Sequence, residues 1–311
     1  MHRKQSESPF QYGGQAVIEG VMMRGPQKIA TAVRVGEEIV VNQEDIIPWV
    51  ESFSVLKWPL IRGSVVLIES MVIGIRTLNL SASLVSGEEE GESLSSLEMG
   101  MTIVFAVLLA IGLFAILPTL LGHLTRGFVG YWVQNLIEGA ARIGIFLAYL
   151  FFIRKFEDIK RVFEYHGAEH KTINTYEDGA ELTVEEVSQR SRLHPSCGTS
   201  FILVVLVISI LVFAFLGNGP WWWKFGTRIL LFPLIAGIGY EFIRCSRRHR
   251  ERMGMLIAPG LWLQNLTTGE PDVGQIEVAI KALKSVLVSQ AKDAVPSKIE
   301  ERGLASYAGK A

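Results

Sequence analysis

An excess of charge of either sign is the first thing this sequence lacks. Its 30 Lys and Arg stand against 31 Asp and Glu, for a formal net charge of −1. No basic surface able to track a phosphate backbone is implied, which excludes nucleic acid as a partner. Cysteine is scarce: Cys197 and Cys245, far apart in sequence, form no disulfide framework. A secretory leader is missing too. Met1-His2-Arg3-Lys4 is basic, but residues 5–15 that follow are polar and glycine-containing instead of apolar, so the N-terminus is expected in the cytoplasm. What the chain has in quantity is hydrophobic residues, 49% of the total. They are concentrated in long runs, the signature of a membrane protein.

Residues 101–123 carry no Asp, Glu, Lys or Arg and are long enough to cross a bilayer as a helix. Residues 200–217 are equally uncharged. A third span, about residues 132–153, contains Glu138 and Arg142, which four apart on a helix can pair and lower each other's cost in lipid. A fourth, about residues 227–243, is read as apolar as far as Glu241. Residues 63–75, between Arg62 and Arg76 and containing Glu69, are too short for a clean span. They read as a buried or interfacial helix, with a re-entrant segment as the alternative. The expected fold is therefore an α-helical polytopic membrane protein of about four transmembrane helices with a small α+β cytoplasmic N-terminal region.

Orientation follows from Lys and Arg near the span ends. Residues 154–199 hold Arg154, Lys155, Lys160, Arg161, Lys171, Arg190 and Arg192, and Arg244, Arg247, Arg248, Arg250 and Arg252 follow the fourth span. The two short loops carry only Arg126 and Lys224, the second beside an aromatic belt at Trp221-Trp222-Trp223. Both termini and the loop 154–199 are thus expected in the cytoplasm of a multi-pass inner-membrane protein.

The cytoplasmic parts divide by composition. Residues 1–80 read as an α+β region, with β-branched runs Lys28–Val35 and 38–42 joined at Gly36-Glu37 in a hairpin. The glycine-rich stretch Gly13 to Gly25 ahead of them is expected to form a turn before that hairpin, with a ligand cradle as the alternative. Residues 81–100, acidic and serine-rich, read as a flexible linker. Then come the first membrane hairpin (101–153), the cytoplasmic loop (154–199) and the second hairpin (200–245). Residues 246–293 include an amphipathic helix marked by Ile276, Ile280, Leu283 and Leu287 and capped by Asp272, and 294–311 read as a loose tail.

The chemistry concentrates in His166-Gly167-Ala168-Glu169-His170, the pattern H-x-x-E-H, the inverted form of the zinc-protease helix motif. Four apart on a helix, His166 and His170 face the same way and can share one metal ion, expected to be zinc. Glu169 is placed to take a proton from a water the metal has acidified, as the catalytic base. The alternative is a helix with two polar histidines and an exposed glutamate, and Gly167 weakens the helix that the spacing requires. Zinc needs three or four donors. His194 and Cys197, in His194-Pro195-Ser196-Cys197-Gly198-Thr199, are candidates to complete the set; the alternative is that one ends a helix and the other is a small buried residue. A helix N-terminus at Cys197 would favour its thiolate. Glu241 is the remaining candidate, as a ligand, as the group orienting a ligand histidine, or merely as a partner of Arg244. Thr183-Val184-Glu185-Glu186 has capping-box spacing and starts a short helix that must stop by His194-Pro195.

Residues Gly13 to Arg24, Tyr165 to Lys171, His194 to Thr199 and Gln275 to Ala279 together resemble the bacterial YqhQ family. The resemblance runs from about Tyr12 to Leu287 with four motifs in order. It implies a membrane protein labelled a predicted metal-dependent enzyme, with no substrate or reaction attached. Two functional readings follow. In the first, the protein is a membrane-embedded zinc hydrolase of peptidase type, with His166, His170 and Cys197 or His194 as ligands and Glu169 as base. In the second it is a non-enzymatic assembly or scaffold factor for other membrane proteins, with His166, His170, His194 and Cys197 as a closed structural site. A transporter is the weaker third, since no inverted repeat is evident. The bilayer is the partner common to all of them.

Overall fold

The computed structural model describes residues 12–87, 96–125, 127–216 and 220–293. Strands β1 (Gly13–Val17), β2 (Gly20–Arg24), β3 (Lys28–Val35) and β4 (Glu38–Asp45) form an antiparallel sheet in the order β1-β2-β3-β4. The β3–β4 hairpin closes at Gly36-Glu37, with Val35 opposite Glu38 and Gly36 at φ 59°. A two-residue loop needs that left-handed conformation.

The glycine-rich stretch is not a turn ahead of the hairpin. It is itself a hairpin, β1–β2, with Val17 opposite Gly20 and the loop Ile18-Glu19 between them. Glu19 sits at φ 50°, a conformation that costs a non-glycine residue energy. Its carboxylate is held in place by both Nε and Nη2 of Arg161 at 2.5 Å and by the Tyr165 hydroxyl, which donates at 3.2 Å. The Arg161 guanidinium bonded to it holds its carboxyl pKa below the usual carboxylate range, against the partial burial that would raise it.

Both faces of the sheet are covered. On one lie α6 (Glu157–Glu177) and α11 (Val273–Asp293), where Ala16, Val21, Met23 and Ala32 pack with Tyr165, Ala168, Ile173, Val278 and Leu283. Asp272 caps α11, its Oδ1 accepting from the Gln275 N–H at 2.8 Å. On the other face, Val17, Met22, Ile29 and Val33 pack with Ile73, Leu78 and Leu84 of α2 (Ile61–Ser86).

The stretch 63–75 is therefore part of a 26-residue helix and is not short. Arg76, which closed the apolar window, points outward and reaches Glu44 at 2.9 Å, so the helix runs past it to Ser86 and takes in the start of the expected linker. Residues 88–95 of that linker, and the tail from 294, lie outside the described residues. The polar and small positions of α2 face the sheet: Glu69 accepts from Arg24 at 2.7 Å and from the Trp49 N–H at 2.9 Å, while Ser81 accepts from the Ile18 N–H at 3.1 Å. Ile68, Met71, Val72 and Ile75 are exposed. Trp49 opens the short helix α1 (Trp49–Ser52), and a 3₁₀ turn, Ser54–Lys57, links it to α2.

Among the described residues five helices, not four, are long and apolar enough to cross a membrane: Ile61–Ser86, Gly100–Leu124, Tyr131–Ile153, Gly198–Phe215 and Gly226–Ser246. The first is α2. The second comprises α3 (Ser96–Ile111), a π-helical turn Gly112–Ile116 and α4 (Leu117–Leu124); the others lie in α5 (Tyr131–Ile153), α8 (Gly198–Phe215) and α9 (Trp221–Arg248). Nor is the last apolar as far as Glu241, since Arg228 stands near its start. Arg228 joins Glu138 and Arg142: Glu138 Oε1 accepts from Arg142 at 3.0 Å, from Thr119 at 3.1 Å and from Arg228. Arg142 Nε also donates to the Phe114 carbonyl in the π turn at 2.9 Å. The expected Glu138–Arg142 pair is present and is shared with a second arginine. Two further helices, α7 (Val184–Ser188) and α10 (Arg250–Thr267), complete the chain. Thr183 caps α7, accepting from the Glu186 N–H at 3.3 Å.

Candidate metal centre

The pentad lies within α6, and the helix runs through Gly167 without a break. A Cβ at that position would run into the Gly269 carbonyl, whose residue donates its N–H to the Phe163 carbonyl at 2.6 Å. Glycine is there because a neighbouring backbone presses on the helix, so its helix cost is offset by a close approach.

His166, His170 and Cys197 converge: their donor atoms all lie within 4.8 Å of one another. Cys197 Sγ is 3.3 Å from His166 Nε2, and the two imidazole centroids are 4.4 Å apart. In a tetrahedral zinc set with ordinary bond lengths, neighbouring donors sit about 3.3–3.6 Å apart. Each imidazole turns its other nitrogen to a backbone carbonyl, His166 Nδ1 to Thr267 at 2.8 Å and His170 Nδ1 to Arg192 at 2.6 Å. A carbonyl only accepts, so Nδ1 carries the proton in both rings and Nε2 faces the cluster. This is how ligand histidines are oriented. The residues fit a divalent ion.

Cys197 caps α8, its sulfur accepting from the Thr199 N–H at 3.4 Å, with the Thr199 hydroxyl at 3.1 Å. Burial on its own would raise the thiol pKa, but the neighbouring imidazoles, His166 foremost, bring it well below the ordinary value. Burial likewise opposes charge on His166, and the Cys197 sulfur outweighs it, raising its pKa to about 9. The two shifts are reciprocal, each group favouring the charged form of the other.

Glu169 is buried, its Oε2 3.5 Å from His170 Nε2, and its Cγ lies against Gly14 of β1. Successive α-helical residues step by 100°. Glu169 therefore falls between the sheet-facing side of α6, with Tyr165 and Ala168, and the side carrying His166 and His170.

The structure does not bring His194 and Glu241 to the donors. His194 is buried with its ring centroid 5.8 Å from that of His170, but both ring nitrogens are engaged, Nε2 with Glu177 at 3.2 Å and Nδ1 with the Ser196 N–H at 3.4 Å. Its backbone is clamped by Gln264, which accepts from the N–H and donates to the carbonyl, each at 2.8 Å. Glu241 is a bidentate partner of Arg62 at 2.6 Å for both bonds, a salt bridge between the starts of α2 and the end of the apolar part of α9. Cys245 is exposed, beside His249.

Several supports were absent from the sequence reading: Thr267, Arg192, Gln264, Glu177 and Glu19. Two of them act through backbone carbonyls, which no side-chain pattern reveals. Lys171 adds a brace behind the site, donating to the Ser188 carbonyl at 2.8 Å and to Glu270.

The family model described as "Protein of unknown function (DUF1385)" matches residues 58–289, a stretch that contains the pentad, His194, Cys197 and Glu241. The "Uncharacterized protein YqhQ" of Bacillus subtilis (strain 168) is 35% identical over 299 residues, covering 90% of this chain and 93% of the relative. No solved structure matches. On a match of that length and a relative of that identity, the chain belongs to the DUF1385 family.

Proposed function

We propose that this protein is a membrane-embedded, metal-dependent hydrolase whose site lies at the cytoplasmic end of α8. The observation that carries the proposal is the donor count. Two histidine Nε2 atoms and one thiolate sulfur converge, each imidazole is fixed by a backbone carbonyl, and His194 is spoken for by Glu177 and Ser196. Among the described residues there are three protein donors, which leave a tetrahedral ion one open position, the arrangement of catalytic and not of structural zinc. The bound ion would supply Lewis acidity and acidify a water molecule at that position.

His166, His170 and Cys197 would hold the ion. Glu169, beside His170 Nε2, takes a proton from the attacking water. The water oxygen joins the carbonyl carbon, the bond to the leaving group breaks, and Glu169 returns the proton to that group. Sidedness rests on the Lys and Arg residues between α5 and α8 and after α9.

Metal analysis of the purified protein tests this. Wild type is expected to carry about one zinc-class ion per chain, the His166→Ala/His170→Ala double variant none, and Glu169→Gln the full amount. Glu169→Gln should nonetheless fail to complement a deletion strain. Metal-free wild type would sink the proposal, and full complementation by Glu169→Gln would remove Glu169 as the base.

A further inference from the structure

The strand that passes Glu169 is an edge strand, and its hydrogen-bonding parity can be worked out. In a two-residue hairpin the residues flanking the loop exchange hydrogen bonds, here Val17 and Gly20. Alternation then points the N–H and C=O groups of Gln15 and Gly13 toward β2 and those of Gly14 and Ala16 away from it. Two bonds agree with this phase. The Arg34 N–H donates to the Glu19 carbonyl at 2.8 Å, which places odd-numbered β2 residues toward β3 and even-numbered ones toward β1. The Ile18 N–H, of the same parity as Gly14 and Ala16, leaves the sheet to meet Ser81 of α2.

Gly14 is exposed while Ala16 is buried. Among the described residues, one backbone N–H and C=O pair on the outer edge of β1 is therefore open to a partner, and it belongs to the residue whose face packs against the Glu169 side chain. A Cβ at Gly14 would overlap the Met22 carbonyl and meet Glu169 Cγ at 2.9 Å, so glycine keeps a close approach there. β1 and α6 run antiparallel: Tyr12 stacks edge-on with Tyr176 at 5.1 Å, Gly14 meets Glu169, and Glu19 meets Arg161. A chain laid along the outer edge of β1 would thus run lengthwise beneath Glu169, which lies between that edge and the three donors.

We infer that the substrate is an extended peptide that adds to the sheet at Gly14, its backbone exchanging hydrogen bonds with the Gly14 N–H and C=O so that a neighbouring amide lies under Glu169. This is strand addition, in which main-chain bonds supply register and side-chain pockets supply preference. It rests on the hydrolase reading and names its substrate class and the element that orients it.

The test compares two probes on the full chain in detergent, loaded with Zn²⁺ and with metal content measured separately. Acetohydroxamate carries only a metal-binding group. A series of N-acetyl tripeptidyl hydroxamates, with the central residue varied among Gly, Ala, Leu, Phe, Lys and Asp, adds a backbone able to pair with β1. At least one peptide form is expected to bind tenfold or more tightly than acetohydroxamate and to slow amide exchange over residues 12–17. N-methylating one of its amides should cost about tenfold in affinity, as for the loss of one backbone hydrogen bond. Metal-loaded protein that binds every peptide form no better than acetohydroxamate overturns this inference and leaves the hydrolase reading standing. An edge already protected from exchange before any probe is added also overturns it, because the chain itself then fills the edge. Protein that takes up no metal overturns both.

Discussion

Replacing Gly167 by alanine sets two effects against each other with opposite signs. Intrinsic helix propensity predicts a gain of about 1 kcal/mol for the change inside a helix. The added Cβ, however, would overlap the Gly269 carbonyl, and Gly269 cannot retreat freely because a Cβ-sized space on its other side is filled by Glu164. Its N–H is also tied to the Phe163 carbonyl at 2.6 Å. Making room means stretching or losing that hydrogen bond, about 1–3 kcal/mol for a buried donor, and overpacking adds a further ~1–3 kcal/mol. The balance is a loss of about 1–5 kcal/mol. Thr267, whose carbonyl orients His166, lies only two residues before Gly269, so metal affinity should fall as well. Disturbing such a supporting contact typically costs about 10–100-fold. Thermal unfolding in detergent and competition with a chelating dye read the two losses. A Gly167→Ala protein as stable as wild type, with unchanged metal affinity, would refute the claim that this glycine serves a close approach.

Three further outcomes follow from the structure. Cys197→Ala should abolish metal binding whereas His194→Ala keeps the ion at reduced affinity; equal losses by metal analysis would make His194 a ligand. Glu138→Gln leaves Arg142 and Arg228 without their shared countercharge and should destabilise the packing of the apolar helices by about 3–5 kcal/mol, an effect excluded if the melting temperature is unmoved. Glu19→Gln should cost about 1 kcal/mol at neutral pH, because its pair with Arg161 is bidentate but partly exposed. The Glu19 carboxyl titrates below its ordinary value in the folded chain. Its contribution is therefore complete above the unfolded pKa and fades as pH falls through the folded one. A wild-type to Glu19→Gln difference that persists in strong acid would contradict the assignment.

Legibility from sequence tracked how local each signal was. The i,i+4 spacing of His166 and His170, the β3–β4 hairpin at Gly36-Glu37 and the apolar stripe of α11 depend on short-range periodicity, and all three are present, the stripe packing Leu283 and Leu287 on the sheet side and Ile276 and Ile280 against α7. The β1–β2 hairpin was hidden because its loop, Ile18-Glu19, has no turn chemistry of its own; Arg161, 142 residues away, holds Glu19 in its left-handed conformation. Helix α2 was cut short by Arg76, a charge that turns outward to Glu44. Arg228 became intelligible only when its partner on α5 was seen. In the candidate site, the pentad and Cys197 were readable as side chains, but the carbonyls of Thr267 and Arg192 that aim the rings were not. His194 and Glu241 have ligand chemistry, and their bonding capacity is taken by Glu177, Ser196 and Arg62.

Cys197 is both a donor of the proposed centre and the residue from which α8 begins. The histidines, in contrast, ride on α6, which is bolted to the sheet through Tyr165 and Ala168. An ion held by all three would be a rivet between the sheet with its packed helices and the end of an apolar rod. Metal–ligand bonds tolerate shifts of only about 0.2 Å, so tilting or sliding of α8 is felt at once as strain on the ion. Occupancy of the proposed centre and the posture of that helix would then be two readings of one variable.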